Sequence, residues 1–121
     1  MTARVVNLAQ KFAQIRDHWN PRLAGELNGQ HVRLVKLLGE FTWHHHDHED
    51  EMFLVVDGEL EMRLRDRVER VRAGEFIIVP RGTEHCPYAE GEVQVLLFEP
   101  AGTLNTGNVR EARTRDQLQA I

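Results

Sequence analysis

The sequence has one cysteine, no long apolar run and no apolar leader, and each shortage narrows the class of protein. Cys86 is the single cysteine in 121 residues, so no disulfide can form within the chain, and a reducing compartment is compatible with it. No apolar run approaches the roughly 20 residues that span a bilayer. Residues 1–7 lack the apolar core of a signal peptide. We therefore expect a cytoplasmic protein that has no membrane partner.

Basic charge is also in short supply. The 15 lysine and arginine residues are outnumbered by 19 acidic residues, which leaves a net charge of −4. Proteins that bind nucleic-acid backbones carry a basic excess, so this balance argues against a nucleic-acid partner. A chain of 121 residues with 41% apolar residues is large enough for one core. We predict a single domain over residues 1–121.

Short apolar segments separated by turn residues dominate the middle of the chain. The pairs Asn28-Gly29 and Asp57-Gly58 are signals for two-residue hairpins, so each should join two paired strands. Besides a strand through the histidine-rich segment, the predicted strands are residues 22–27, 30–38, 52–56, 59–65, 68–72, 75–79, 85–88 and 93–98. Many short strands with frequent turns are typical of an antiparallel sandwich or barrel. We predict an all-β core over about residues 22–98.

The two ends of the chain do not share this pattern. In the N-terminal arm, residues 1–20, apolar residues follow the candidate N-cap Asn7 at helical spacing: Leu8, Phe12, Ile15 and Trp19. A short helix or an irregular arm packed on the barrel fits them. In the C-terminal tail, residues 99–121, residues 114–117 resemble a capping box ahead of a last short helix. The tail either covers a sheet edge or is partly disordered.

The residues that carry chemistry are concentrated in residues 43–51, which read Trp-His-His-His-Asp-His-Glu-Asp-Glu. Successive side chains of a strand point to opposite faces, so His44 and His46 should share one face and His45 should take the other. A carboxylate from Glu51, returning on the next strand, can close a three-point site. Imidazole and carboxylate together suit divalent metals of the first transition row.

A second segment supplies a candidate fourth ligand. Residues 76–79 form a short apolar strand, Pro80 ends it, and Gly82 permits a tight turn before His85. Cys86 follows His85 directly, so alternation turns its thiol away from the proposed metal, and a buried inert thiol is the better interpretation.

These residues resemble the two motifs of the cupin superfamily. The first motif is matched by Gly39, His44, His46, Glu51 and Gly58, and the second by Gly74, Pro80, Gly82 and His85. The chain departs from the motifs in two places: the spacing from Gly39 to His44 is one residue short, and Ala89 stands where asparagine is usual. The flanks are similar to those of small single-domain bacterial cupins that are often labelled mannose-6-phosphate isomerase-like.

The resemblance implies a double-stranded β-helix, or jelly-roll barrel, with short N- and C-terminal extensions. It also implies one divalent transition metal per chain, held by His44, His46, Glu51 and His85. Iron, manganese, nickel, zinc and copper all suit this ligand set. The expected function is that of a metal-dependent enzyme that isomerises or oxygenates a small polar molecule, sugar-like or a carbonyl or dicarbonyl compound. The alternative is a non-catalytic metal-dependent binding or sensor protein of the same fold.

Three further residues have open roles. His48 has the alternation of the proposed ligands but belongs to the turn before Glu51, so it either borders the pocket or is exposed. Tyr88 is a possible general acid only if the strand bulges near Pro87. Arg81 could bind an anionic substrate, although a solvated turn arginine is favoured. No catalytic residue beyond the metal ligands can be assigned.

Three strands are apolar at every position, namely residues 52–56, 76–79 and 95–98. In a lone sandwich only the inner face is buried, and the outer face should alternate to polar residues. The arms are short and rich in polar residues, so they can cover only part of such a face. We therefore predict a homodimer with two-fold symmetry.

Overall fold

The structure is a computed structural model that describes residues 2–121. Within these residues the chain forms one short helix and eight strands. They are α1 Leu8–Ala13, β1 Arg22–Leu27, β2 Gln30–Glu40, β3 Glu51–Asp57, β4 Glu59–Leu64, β5 Val68–Arg72, β6 Phe76–Val79, β7 His85–Pro100 and β8 Gln119–Ala120. No helix in this part of the chain is long and apolar enough to cross a membrane.

The strand β7 organises the barrel because it pairs with three other strands. Along one edge it is antiparallel to β2 over nearly its whole length. Along the other edge its first four residues pair with β4, and residues 94–98 pair with β3. The two strands predicted at 85–88 and 93–98 are therefore the two halves of β7. The strands enclose one core in a jelly-roll β-barrel, which confirms the predicted all-β fold.

Of the two predicted hairpins, the structure forms only the first. Asn28 and Gly29 have φ values of 51° and 77°, and they join β1 to β2 in a paired hairpin. Gly58 also has a positive φ, 91°, but β3 and β4 do not pair, so the predicted hairpin is wrong. At Gly58 a Cβ atom would lie 2.9 Å from the Glu92 carbonyl oxygen. The chain passes close over β7 there, and β3 and β4 join different halves of that strand.

The barrel core is apolar, and its members face inward from every long strand. They are Trp19, Val35, Leu37, Phe41, Phe53, Val55, Leu60, Met62, Val71, Val79, Ala89, Val93, Val95 and Leu97. Burial of this much apolar surface is the main force that holds a β-barrel closed.

The N-terminal arm packs on the outside of the barrel. Its helix α1 begins after Asn7, whose side-chain oxygen accepts a hydrogen bond from the Gln10 N–H at 2.9 Å, as predicted for an N-cap. The helix ends at Ala13, yet both Phe12 and the later Ile15 are buried against the outer face of β2 at Leu34. The arm therefore covers part of the outer face.

The predicted C-terminal helix is wrong. The Thr114 hydroxyl accepts a hydrogen bond from the Glu111 N–H and pairs with the Thr106 hydroxyl, so it cannot cap a following helix. The Arg115 N–H donates to the Asn105 side chain. The tail is an ordered loop that ends in β8, which pairs in parallel with β1 and so covers that sheet edge.

One apolar part of the outer face has no cover among residues 2–121. On β6 the side chains of Phe76 and Ile78 are 59% and 55% exposed. Phe76 lies opposite Leu54 and Ile78 opposite Met52, so the four side chains form one block on the same face. A contiguous apolar patch rimmed by polar residues is typical of a protein–protein interface.

We propose that a second copy of the chain covers this block. Analytical ultracentrifugation at micromolar concentration should give twice the 14.0 kDa mass of the chain. Ile78→Lys should shift the protein to monomer because the charge would be desolvated at the interface. Val68→Lys is the matched control, since Val68 is also exposed but lies on β5, which pairs with β4 and with neither strand of this block. A wild-type monomer, or equal effects of the two variants, would contradict the proposal.

Candidate metal centre

Four side chains from three parts of the chain meet at one end of the barrel interior. The candidate ligand atoms of His44, His46, Glu51 and His85 all lie within 4.8 Å of one another. Each of these residues is at most 4% exposed. Such a group could hold one metal ion.

Backbone pairing brings the histidines together. The predicted strand through the histidine-rich segment is wrong: His44 instead forms a single antiparallel bridge with His85, with N–H···O distances of 3.1 and 2.9 Å. Two residues later, the His46 carbonyl accepts a hydrogen bond from the Gly82 N–H at 2.8 Å. The alternation expected of a strand is kept in this irregular segment. His45 points outward, where its Nε2 lies 2.8 Å from Asp47 Oδ1.

The imidazoles are oriented by the backbone. Nδ1 of His44 and Nδ1 of His85 each lie 2.9 Å from a carbonyl oxygen two residues earlier, on Thr42 and Thr83. A carbonyl can only accept, so Nδ1 carries the proton in both rings. Their Nε2 atoms are thus left with lone pairs, which is the tautomer that a metal ligand needs.

The facing atoms of the group have no hydrogen-bond partners among residues 2–121. This holds for both ring nitrogens of His46, Oε1 of Glu51 and Nε2 of His85. Glu51 Oε1 lies 3.3 Å from His46 Nε2 and 3.6 Å from His85 Nε2. Buried polar atoms without partners are costly, and here they converge on a common point. The residues therefore fit a divalent metal ion.

The charges of the metal-free group also suit a cation. Burial and the neighbouring His85 lower the pKa of His44 to about 4, so this ring is neutral at neutral pH. Burial would lower the pKa of His46, but the Glu51 and Glu49 carboxylates outweigh it and raise that pKa. Without metal, the carboxylates therefore favour the protonated form of His46. A metal ion bound to His46 would compete with this proton.

Sequence reasoning missed two residues beside the group, Arg33 and Glu99. The Arg33 guanidinium, 2% exposed, donates to Glu99 Oε1 at 3.0 Å, and Glu99 is 1% exposed. Burial and the adjacent Glu51 carboxylate raise the pKa of Glu99 well above its usual range. Burial would raise the pKa of Glu51 as well, but the neighbouring Glu99 carboxyl group and the imidazoles of His46 and His85 hold it well below its usual range. Of the two carboxyl groups, Glu99 is therefore the one that favours its protonated form.

The C-terminal tail forms one wall of the centre. Asn108 accepts a hydrogen bond from the His45 N–H through its side chain at 2.8 Å, and its own N–H donates to the His45 carbonyl at 3.0 Å. Gly107 has a φ of 57°, and a Cβ atom there would lie only 3.0 Å from His44 Cδ2 and still closer to the His45 carbonyl oxygen. The tail therefore touches the ligand-bearing segment directly.

A cavity of about 30 Å³ reaches the ligands His44 and Glu51 from the barrel interior. Its other walls are mostly apolar: Trp19, Val35, Leu37, Phe41, Phe53 and Leu97. Asn105 is the one further polar side chain that lines it, and its amide already donates to the Arg113 carbonyl and accepts from the Arg115 N–H. Apart from the ligands, the lining thus offers side-chain hydrogen bonds only through the remaining capacity of this one amide.

The remaining candidates lie outside this cavity. His48 is exposed and does not line this cavity, so the interpretation that it borders the pocket is removed. Arg81 pairs with Asp50 on the surface, and Tyr88 packs beneath the Arg63 guanidinium, 4.2 Å from it. Cys86 is buried, and its thiol donates to the Phe41 carbonyl. As predicted, it is an inert packing residue; burial also raises the pKa of its thiol.

The fold and the buried histidine–carboxylate group define a jelly-roll protein with a possible metal site inside its barrel. The family model of the cupin domain matches residues 32–99, more than half of the chain. The protein therefore belongs to the cupin family.

Solved structures of two bacterial proteins are similar over most of the chain. A cupin-2 domain protein from Shewanella frigidimarina is 41% identical with a TM-score of 0.78, covering 79% of this chain and 94% of its own. A protein from Neisseria meningitidis is 31% identical with a TM-score of 0.75, covering 81% and 100%.

A match among curated proteins is shorter. It is the uncharacterized protein YdbB of Bacillus subtilis, 41% identical over 61 residues, which are 50% of this chain. The chain spans 54% of that relative's length. None of these three similarities supports the mannose-6-phosphate isomerase label.

Removal of one ligand should separate metal binding from folding. We expect His46→Ala to lose bound metal, while His45→Ala keeps one metal per chain, because only His46 faces the centre. Elemental analysis of untagged protein measures occupancy, and circular dichroism checks that the barrel still folds. Stoichiometric metal in a His44→Ala/His46→Ala variant would contradict the assignment of the ligands.

Gly107 offers a test of the tail's contact with the centre. Gly107→Ala should destabilise the protein by about 2 to 4 kcal/mol in urea unfolding, because the new Cβ overlaps the His45 carbonyl and the φ is positive. Gly102→Ala is the matched control in the same tail, where a Cβ meets no atom within 4 Å, and it should change stability by less than about 0.5 kcal/mol. Equal stability of the two variants would show that the tail does not hold this position.

Proposed function

We propose that the protein is a metal-dependent enzyme that isomerises or oxygenates a small carbonyl or dicarbonyl compound inside the barrel. The observation that carries this proposal is the apolar cavity that ends on His44 and Glu51. Four protein ligands leave two positions of an octahedral metal open, and catalytic sites keep such positions for substrate or water. A divalent metal in this group would supply a Lewis acid that polarises a carbonyl oxygen.

The lining favours a carbonyl compound over a sugar-like substrate. Each sugar hydroxyl moved into this cavity would lose its hydrogen bonds to water, and beyond the ligands only the Asn105 amide could replace any of them. A carbonyl or dicarbonyl compound carries its polarity in one or two oxygens at one end. Those oxygens can face the ligands while an apolar remainder contacts Val35, Leu37 and Leu97.

The chain's own contribution is to position the substrate and to exclude water. The rings of Trp19 and Phe41 stack at 4.5 Å, and the Trp19 N–H is held by the Leu38 carbonyl at 2.8 Å, so this wall is rigid. The Arg113 guanidinium lies 4.6 Å from the Phe41 ring and packs the tail against the same wall. A small cavity between rigid apolar walls orients a short substrate and keeps bulk water away from the ligands.

A non-catalytic metal-dependent binding protein is the second candidate. The observation in its favour is that no residue lining the cavity, other than the ligands, can accept or donate a proton in a reaction. The one further polar side chain in the lining, the Asn105 amide, does not titrate and is held within the tail by two hydrogen bonds.

Turnover separates the two candidates. Untagged protein, stripped and reloaded in turn with iron(II), manganese, nickel, zinc or copper, is given aliphatic 1,3-dicarbonyl compounds or aldose phosphates. Oxygen uptake and proton NMR report oxygenation and isomerisation. We expect turnover of a dicarbonyl compound with at least one metal, lost in His46→Ala and kept in His45→Ala. Saturable binding of dicarbonyl compounds without turnover would favour the binding protein, and turnover of the sugars alone would reject the proposed substrate class.

A further inference from the structure

We infer that Glu99, itself held by Arg33, is a positioning residue that fixes the Glu51 carboxylate for metal binding. Arg33, Glu99 and Glu51 act together in this arrangement. The inference concerns the centre whatever reaction it supports, so it does not depend on the proposed substrate.

The strand register brings the two carboxyl groups together. Met52 of β3 lies opposite Phe98 of β7 in an antiparallel pair, and continuing this register by one step places Glu51 beside Glu99. Both side chains are buried, 4% and 1% exposed. Two buried carboxyl groups side by side are unfavourable unless one of them has a counter-ion. Selection for packing alone would place apolar residues here.

Arg33 is that counter-ion, and its other donors are also engaged. One Nη1 proton goes to Glu99 Oε1 at 3.0 Å and the other to the Thr103 carbonyl at 2.8 Å. Nη2 donates to the Ala101 carbonyl at 2.9 Å, and Nε lies 3.1 Å from His31 Nδ1. The planar guanidinium therefore holds Glu99 at a fixed distance from the start of the C-terminal tail.

The second carboxyl oxygen of Glu99, Oε2, is not bound by Arg33. Oε2 of Glu99 has no hydrogen-bond partner among residues 2–121, and the strand register makes Glu51 its neighbour on β3. On the other side, Glu51 Oε1 faces the imidazoles of His46 and His85. The Glu51 carboxylate is thus held from behind by Glu99 and presents one oxygen to the centre. Partners of this kind around metal ligands commonly change metal affinity by about 10- to 100-fold when they are removed.

Two variants separate positioning from packing. Glu99→Gln keeps both contacts, because its amide oxygen can accept from Arg33 while its NH₂ donates to Glu51. Arg33→Met/Glu99→Leu removes both charged groups and leaves no unpaired buried charge, so the barrel should fold. Arg63→Met/Glu61→Leu is the matched control, since it removes an arginine–glutamate pair at 2.8 Å that lies on the outside of β4.

Cobalt(II) serves as the probe, with affinity measured by chelator competition and ligand geometry by the visible absorption spectrum. We expect Arg33→Met/Glu99→Leu to bind cobalt about 10- to 100-fold more weakly with an altered spectrum. Glu99→Gln should stay within about threefold of wild type with an unchanged spectrum, because its side chain can still contact Glu51. The control pair should do the same, because it lies on the outside of β4 and does not touch Glu51. Circular dichroism of the metal-free proteins checks folding.

Wild-type affinity and spectrum in Arg33→Met/Glu99→Leu would overturn the inference. A loss in Glu99→Gln as large as in the double variant would overturn it as well, because the hydrogen bond would then not be what holds Glu51. If the double variant does not fold, Glu99→Asp replaces it: this carboxylate keeps the charge beside Arg33 but is one methylene too short to reach Glu51. Equal affinity of Glu99→Asp and wild type, or no cobalt binding by wild type, would then reject the inference.

Discussion

Three imidazoles and a carboxylate face one another in the barrel interior, and their facing atoms have no hydrogen-bond partners among residues 2–121. Burial of such atoms is unfavourable, so it persists only where the surrounding structure holds them or a cation compensates them. The rest of the molecule can be understood from this constraint. Thr42 and Thr83 fix the rings of His44 and His85, and the tail closes one side.

The strand β7 connects the two ends of this arrangement. Its first residue, His85, is a candidate ligand and pairs with the backbone of His44. Near its other end, Glu99 adjoins the candidate ligand Glu51 on β3. One strand thus supplies a ligand at its start and the partner of a second ligand near its end. Because β7 also pairs with β2 along most of its length, the geometry of the centre is tied to the stability of the barrel.

Sequence patterns such as strand alternation predicted the fold and the four candidate ligands that meet in the barrel. They did not predict the residues that hold these ligands in place. Alternation placed His44 and His46 on one side even though their segment is not a strand, because extended backbone has the same period. Glu99 was missed since the strand was expected to end at Phe98; two further residues would have placed a charged residue on the inner face. The hairpin at Gly58 and the helix at residue 114 were wrong because distant contacts decided them, with β7 in the first case and with Thr106 and Asn105 in the second.

Part of the wall of the cavity lies outside the two histidine motifs. Trp19 comes from the N-terminal arm, and Asn105 comes from the tail; both line the cavity beside the ligands. Neither has a sequence signal of its own, because Trp19 resembles one more apolar residue of a helix and Asn105 one more loop residue. The motifs account for a group that can hold a cation. What can reach that group depends on the two arms, which close the barrel with aromatic surface and with one amide that is already held by two hydrogen bonds. If the protein acts on a substrate, as we propose, its choice of substrate would then depend on its extensions more than on its metal ligands.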